Sequence, residues 1–195
     1  VTRRGGGAAI PIKPNLLQTL EGGPALVHCG PFGNIATGTS SVVADQVALS
    51  HADVVVTEAG FGDDMGAERF FNVKCRLGGL VPDAAVVVAT VRALKVHSGN
   101  YVITPGRPLP ERLFAESPEE VRAGLSNLRA HLEIIQGFGV SPVVAINAFP
   151  QDHDSEHAVI AELAAEMGVR CAVTRHVAEG GAGAEDLARE VLAAS

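Results

Sequence analysis

The sequence predicts an α/β fold, a three-layer arrangement in which a mostly parallel sheet is flanked by helices. Short apolar runs bounded by Gly, Pro or polar turn residues recur along the chain, and helix-spaced apolar patterns lie between them. With 47% of its 195 residues hydrophobic, the chain can bury one good core. Runs that are apolar at consecutive positions mark strands buried on both faces, the habit of a parallel sheet.

The first run is Ala25-Leu26-Val27-His28, and Asp53-Val54-Val55-Val56-Thr57 is the second. Ala84-Ala85-Val86-Val87-Val88-Ala89 and Pro142-Val143-Val144-Ala145-Ile146-Asn147 follow, with a weaker run at Cys171-Ala172-Val173. The plainest helix begins at Ser117-Pro118-Glu119-Glu120, which offers an N-cap serine, a proline at the first helical position and a capping-box glutamate. Val121, Leu125, Leu128, Leu132 and Ile135 then recur at helical spacing until Gly137 and Gly139 end the element. Ser155 is read as the cap of a second helix carrying Val159, Ile160, Leu163 and Met167, and 184–194 as a terminal helix. Segments 41–50 and 66–76 are also read as helices.

Residues 1–195 are expected to form a single α/β domain or a piece of one. Its start, 1–12, is Gly-rich, is expected to be poorly ordered, and opens on Val rather than Met, which suggests a cut chain. Segment 97–116 is read as an irregular surface excursion. A net charge of −7 works against sequence-independent nucleic-acid binding, which needs clustered Lys and Arg. No window has the length of apolar sequence that crosses a bilayer, and a cytoplasmic protein without membrane or nucleic-acid partners is expected. Cys29, Cys75 and Cys171 are widely separated and form no CxxC pair, so neither a disulfide framework nor a thiolate metal site is expected.

Four loops at predicted strand ends suggest one ligand-binding rim, because open α/β sheets bind ligands where strands give way to loops. They are 28–35, 57–68, 90–95 and 147–150. Glycines let backbone N–H groups approach an anion, and a helix starting near Gly66 aims its positive end at a phosphate; tight turns alone are the plainer reading. Glu58, Asp63, Asp64 and Glu68 gather carboxylates beside the Gly-rich turn, suited to magnesium, to a monovalent cation or to orienting an amine, or else simply solvated. Arg92, just beyond a buried strand, is placed to neutralise charge on a phosphoryl or carboxylate group, or to pair with one of those carboxylates. His153 and His157 are spaced as HxxxH but lack the HExxH glutamate, and no metal site is assigned to them. The sequence contains no GxxxxGK[ST] motif.

Lys13-Pro14-Asn15-Leu16-Leu17-Gln18-Thr19-Leu20-Glu21-Gly22, Gly30-Pro31-Phe32-Gly33-Asn34-Ile35-Ala36, the run 56–68, Lys74-Cys75-Arg76 and the run 88–95 resemble, in order and spacing, successive signatures of the formate–tetrahydrofolate ligases. The resemblance continues through Val144-Ala145-Ile146-Asn147, Phe149-Pro150 and the segment 176–181. It implies a P-loop-NTPase-like core and a two-step reaction. Formate attacks the γ-phosphate of MgATP to give formyl phosphate, and the N10 amine of tetrahydrofolate then attacks the formyl carbon. ATP with Mg2+ and tetrahydrofolate are thus implied as substrates, with a monovalent cation as a further candidate.

The resemblance also implies roles. Phe61, Gly62 and Gly66 line the formyl phosphate region, Arg92, Glu68 and Asp64 are candidates for catalysis, and Phe149, Pro150 and Val177 form the folate pocket. A flat heterocycle stacks on an aromatic ring without consuming its hydrogen bonds, which suits Phe149; an ordinary core position is the alternative. The chain departs from the family pattern at Val177, where the family has Trp, at Thr37 and Thr39, and at Gln151-Asp152-His153. The family's P-loop region lies upstream of the residues matched, so a missing amino-terminal segment or companion chain is an expected partner, and self-association into a homo-oligomer stays open. Three functions are carried: a ligase fragment active only with its amino-terminal part, a non-catalytic relic that binds folate or nucleotide or packs with a full-length homologue, and a generic phosphate-binding α/β module.

Overall fold

The computed structural model describes residues 13–27 and 39–195. The chain divides into two units, Val1–Val81 and Pro82–Ser195, each with its own packing. The expected loose start at 1–12, His28 at the end of the first run, and the loop 28–35 lie outside the described residues.

In the first unit, β1 (Asn15–Gln18) pairs antiparallel with β2 (Pro24–Val27), setting Leu16 opposite Leu26. The first apolar run is therefore half of a hairpin, not a buried strand of the parallel sheet. Its partner is the neighbouring segment across a tight turn, closed by the Thr19 N–H donating to the Gly23 carbonyl at 2.8 Å, and so short a connection permits only antiparallel pairing. Helix α1 (Val42–Leu49) begins where expected, with the Ser41 hydroxyl accepting from the Ala44 N–H at 3.3 Å. The run 53–57 forms no strand, which corrects the second expectation. Val56 is 87% exposed, and among the described residues no strand runs beside 53–57 to complete a ladder; only an isolated bridge, Thr39 to Ala59, forms nearby.

A continuous helical segment, α2 (66–78), follows the Gly-rich loop, with a π-helical stretch at Phe70–Cys75 between α-helical turns Gly66–Arg69 and Arg76–Gly78. Lys74, in the π-helical part, is buried. Its ammonium lies 2.5 Å from the Asp45 carboxylate, donates to the Ser40 hydroxyl at 2.7 Å and sits 4.9 Å from the centre of the Phe70 ring. Ser40 is in turn hydrogen-bonded to Thr57, so one buried cation ties α2 to α1 and to the root of the Gly-rich loop.

The second unit is the predicted α/β architecture: a three-stranded parallel sheet flanked by helices. Strand β4 (Ser141–Asn147) is central, between β3 (Ala84–Ala89) and β5 (Arg170–Thr174). The core gathers Ala89, Val144 and Ile146 from the sheet, Val121, Leu128 and Leu132 from α4 (Pro118–Gly137), and Val159, Ile160, Leu163 and Ala164 from α5 (Asp154–Glu166). Apart from Ala164, those helix positions belong to the apolar stripes read from the sequence. Val143 and Ala145, on the opposite face of β4, are buried as well. On β3 the alternate face is open, with Val88 64% exposed, so burial on both faces holds for the central strand and not for β3.

Two cap assignments change. Ser117 caps α4, accepting from the Glu120 N–H, but the Glu120 carboxylate accepts from the Tyr101 hydroxyl at 2.5 Å instead of reaching back to the cap. The Ser117 N–H donates to Glu156 of α5 at 2.9 Å. Helix α5 begins with His153 as its N-cap residue, not Ser155, and the same Glu156 accepts from the His153 N–H at 3.0 Å. Ser155 bonds Glu116.

Helix α3 (Val91–Lys95), capped by the Thr90 hydroxyl, runs into a π-helical turn, Val96–Asn100. Within 97–116, the 3₁₀ turn Glu111–Phe114 buries Leu113 to 2% exposure. Gly124 lets α4 cross α3 closely, for a Cβ there would lie 1.9 Å from the Leu94 carbonyl oxygen. After β5, α6 (His176–Glu179) and a 3₁₀ turn through Gly180–Ala184 lead into α7 (Glu185–Ala194), the expected terminal helix.

Candidate functional site: the carboxyl rim of the sheet

Because β3, β4 and β5 are parallel neighbours, the residues that follow them share one rim: Thr90 to Lys95, Ala148 to Asp152, and Arg175 to Val177. The Ala148 N–H donates to the Thr174 carbonyl at 3.0 Å, joining the last two of these exits.

Arg92 stands in the first turn of α3. Its guanidinium carbon is 3.7 Å from the centre of the Phe149 ring and 5.4 Å from that of Phe114. One Nη2–H donates to the Gln151 side-chain carbonyl at 3.1 Å, while the buried Nε–H makes no hydrogen bond. Among the described residues of the second unit no carboxylate pairs with Arg92. A planar cation stacked on an aromatic ring at the end of a parallel sheet is a fitting receptor for a carboxylate or phosphoryl oxygen.

Phe149 is held by its own loop. Its N–H donates to the Asp152 carboxylate at 2.9 Å, and the Asp152 N–H donates back to its carbonyl at 3.0 Å. Behind Asp152 lies His157, whose Nε2 is 3.6 Å from the carboxylate, with both side chains under one-tenth exposed. His157 Nδ1 is 3.9 Å from the exposed Asp154. The HxxxH spacing therefore places His153 at the helix start and His157 against a carboxylate. Pro150 is exposed beside Phe149, and Val177 is 80% exposed on α6.

Beneath the rim, Lys95 and Glu156 form a fully buried ion pair, 1% and 0% exposed. The Lys95 ammonium also donates to the carbonyls of Leu113 (3.2 Å) and Ala115 (2.7 Å). Burial alone would raise the Glu156 pKa. The Lys95 ammonium and the N–H groups of Ser117 and His153 outweigh it and hold the carboxyl below the ordinary glutamate value. This pair has a sequence signal that went unread: Val91, Leu94 and Lys95 share the buried face of α3, and a lysine there needs an acidic partner.

In the first unit, Phe61, Gly62, Asp63, Asp64 and Gly66 lie on the turn leading into α2. Phe61 has φ +73°, a left-handed conformation unusual for an aromatic residue, and its ring is 58% exposed. A Cβ at Gly66 would lie 1.9 Å from the Gly60 carbonyl oxygen, so only glycine fits. The Gly66 N–H is turned inward, donating to the Gly62 carbonyl at 2.6 Å. Glu58, Asp64 and Glu68 are exposed, and among the described residues no three Asp, Glu, His or Cys side chains converge as a metal site. No resident cation is derived from them. Among the described residues no helix is long and apolar enough to cross a membrane.

A sequence profile for formate–tetrahydrofolate ligase matches residues 9–195. Formate–tetrahydrofolate ligase 3 of Rubrobacter xylanophilus is 67% identical over 178 residues, which are 91% of this chain and 31% of that protein. The formate–tetrahydrofolate ligase of Cutibacterium acnes is 58% identical over 183 residues (94% and 32%), and that of Chloroflexus aggregans 55% over 194 residues (96% and 34%). The chain thus spans about a third of the length of the curated relatives it matches. With the profile covering nearly all of it, the chain belongs to the formate–tetrahydrofolate ligase family.

Proposed function

We propose that this chain supplies part of the substrate-binding surface of a formate–tetrahydrofolate ligase, which converts ATP, formate and tetrahydrofolate to 10-formyltetrahydrofolate, ADP and phosphate through formyl phosphate. The observation that supports this best is Arg92: a cation stacked on Phe149 where β3 ends, with no carboxylate partner among the described residues of its own unit. In this reading Arg92 neutralises the charge that builds on the phosphoryl or carboxylate oxygens as formate attacks, a role for which a fixed guanidinium needs little reorganisation. Phe149, Pro150 and Val177 face the folate ring. Phe61, Gly62 and Gly66 shape the formyl phosphate loop, and Asp64 and Glu68 orient the amine or the magnesium that arrives with ATP.

The relatives are about three times longer, and the chain lacks a P-loop motif, so the phosphates of MgATP are taken chiefly by polypeptide beyond this segment. We assign the unpaired run 53–57 and the open face of β3 as surfaces that this further polypeptide covers. A cytoplasmic setting suits these substrates, and a homo-oligomer is compatible with such surfaces.

The second reading, a relic that retains binding without catalysis, is favoured by one observation: Val177 presents no ring to the folate and is largely exposed. Calorimetry of the chain with tetrahydrofolate and, separately, MgATP, followed by a 10-formyltetrahydrofolate assay with the remaining two-thirds of a relative supplied, separates the two. Product that depends on both parts supports the ligase. Folate or nucleotide binding without product under any combination supports the relic, and absence of all binding contradicts both.

A further inference from the structure

Arg92 depends on a loop for its position, and one side chain closes that loop. The guanidinium touches the 149–152 loop twice, stacking on Phe149 and donating to Gln151. Both contacts move with the loop. The loop is closed by Asp152, whose carboxylate accepts the Phe149 N–H and whose own N–H returns to the Phe149 carbonyl. Asp152 is 5% exposed, and His157, from the first turns of α5, sits behind it. The residue before His157 is Glu156, which fixes the start of α5 and, through Lys95, anchors α3, the helix that carries Arg92. Arg92 is therefore held at both ends by one short stretch, 152–157: its helix through Glu156 and its guanidinium through Asp152.

From this arrangement we infer that Asp152 is a positioning residue for Arg92. It touches no reacting group, and it sets the plane of the guanidinium by fixing the Phe149 ring and the Gln151 amide, with His157 as its backing. The functional weight of this inference rests on the reading of Arg92 as the charge-neutralising group, whereas the geometric claim stands apart from it. A carboxylate is suited to the task because it accepts the Phe149 N–H with a charge-assisted bond while facing an imidazole from the other side. An asparagine keeps the acceptor for that N–H; an alanine removes it and leaves the amide without its partner.

The test uses the isotope-labelled 195-residue chain. A ring 3.7 Å from the guanidinium displaces the Arg92 side-chain resonances by its ring current. Asp152→Ala should return these resonances most of the way to free-arginine positions while the amide pattern of β4 and α4 is unchanged, and Asp152→Asn should keep most of the displacement. A folded Asp152→Ala chain with Arg92 still displaced overturns the inference, as does loss of the displacement in both variants. If Asp152→Ala does not fold, a temperature series on the unaltered chain decides. Below unfolding, the Phe149 amide and the Arg92 side chain should shift together, and independent drift overturns the coupling. Inorganic phosphate added as a probe reads a separate question, whether Arg92 takes an anion, so failure there leaves the positioning result intact.

Discussion

Glu156 accepts a backbone hydrogen bond from the first residue of each of two helix starts, Ser117 before α4 and His153 before α5, while it neutralises Lys95 from a third helix. One carboxylate therefore locks the helices α3, α4 and α5 beneath the rim. Lys95→Met would leave this carboxylate buried without its cation. The expected loss is about 3–5 kcal/mol of unfolding free energy, the usual effect of breaking one side of a buried pair. Urea unfolding of the chain followed by circular dichroism measures it.

The same carboxyl gives a pH dependence with a definite sign. Its pKa is lowered in the folded chain, so the unfolded chain holds the proton more tightly. The stabilisation is present above the ordinary glutamate value of about 4.3 and is lost as pH falls through the lower folded value. Urea midpoints should fall steeply below about pH 4 in the parent chain. The fall should be shallower in Glu156→Gln, which starts from a lower stability.

Two glycines mark places where backbones meet. At Gly124 a methyl group would lie 1.9 Å from the Leu94 carbonyl oxygen, so Gly124→Ala must push α4 off α3 despite alanine's better helix propensity. A loss of about 1–3 kcal/mol is expected. Gly66→Ala meets the Gly60 carbonyl in the same way and should change the resonances of the 60–66 loop.

Cys171 and Cys75 should be sluggish nucleophiles. Burial, with a smaller contribution from the neighbouring Glu190, raises the Cys171 pKa to about 11. Cys75 is raised by burial and by Asp45, against the opposing effect of Lys74. Since the thiolate is the reactive form, labelling of Cys171 in a Cys29→Ser background should be slow at neutral pH and accelerate toward pH 11. Fast labelling at neutral pH, without unfolding, would contradict the burial described.

The strands β3, β4 and β5 and the stripes of α4 and α5 were legible because local pattern and tertiary burial agree there. The runs 25–28 and 53–57 read as parallel strands by the same rule, yet one pairs across a tight turn and the other has no described neighbour. Apolar composition encodes the wish to be covered, not the identity of the partner. At the site, Arg92 and Phe149 were legible singly, whereas their stacking was not, because it joins residues 57 positions apart through a fold that no local spacing records. The roles of Asp152 and His157 were hidden for the same reason. The HxxxH spacing drew notice to a histidine whose actual neighbour is an aspartate earlier in the chain.

The central claim is that Arg92 serves substrate chemistry in a ligase completed by further polypeptide. Its most direct test is the rate of 10-formyltetrahydrofolate formation when this chain replaces the matching segment of the Rubrobacter xylanophilus ligase, compared with Arg92→Ala and Arg92→Lys in the same setting. The account predicts product from the parent and a fall of about 10²–10³-fold in kcat for Arg92→Ala. Arg92→Lys should recover little, since lysine cannot reproduce the planar stack on Phe149. Parent-like turnover by a folded Arg92→Ala chain would contradict it.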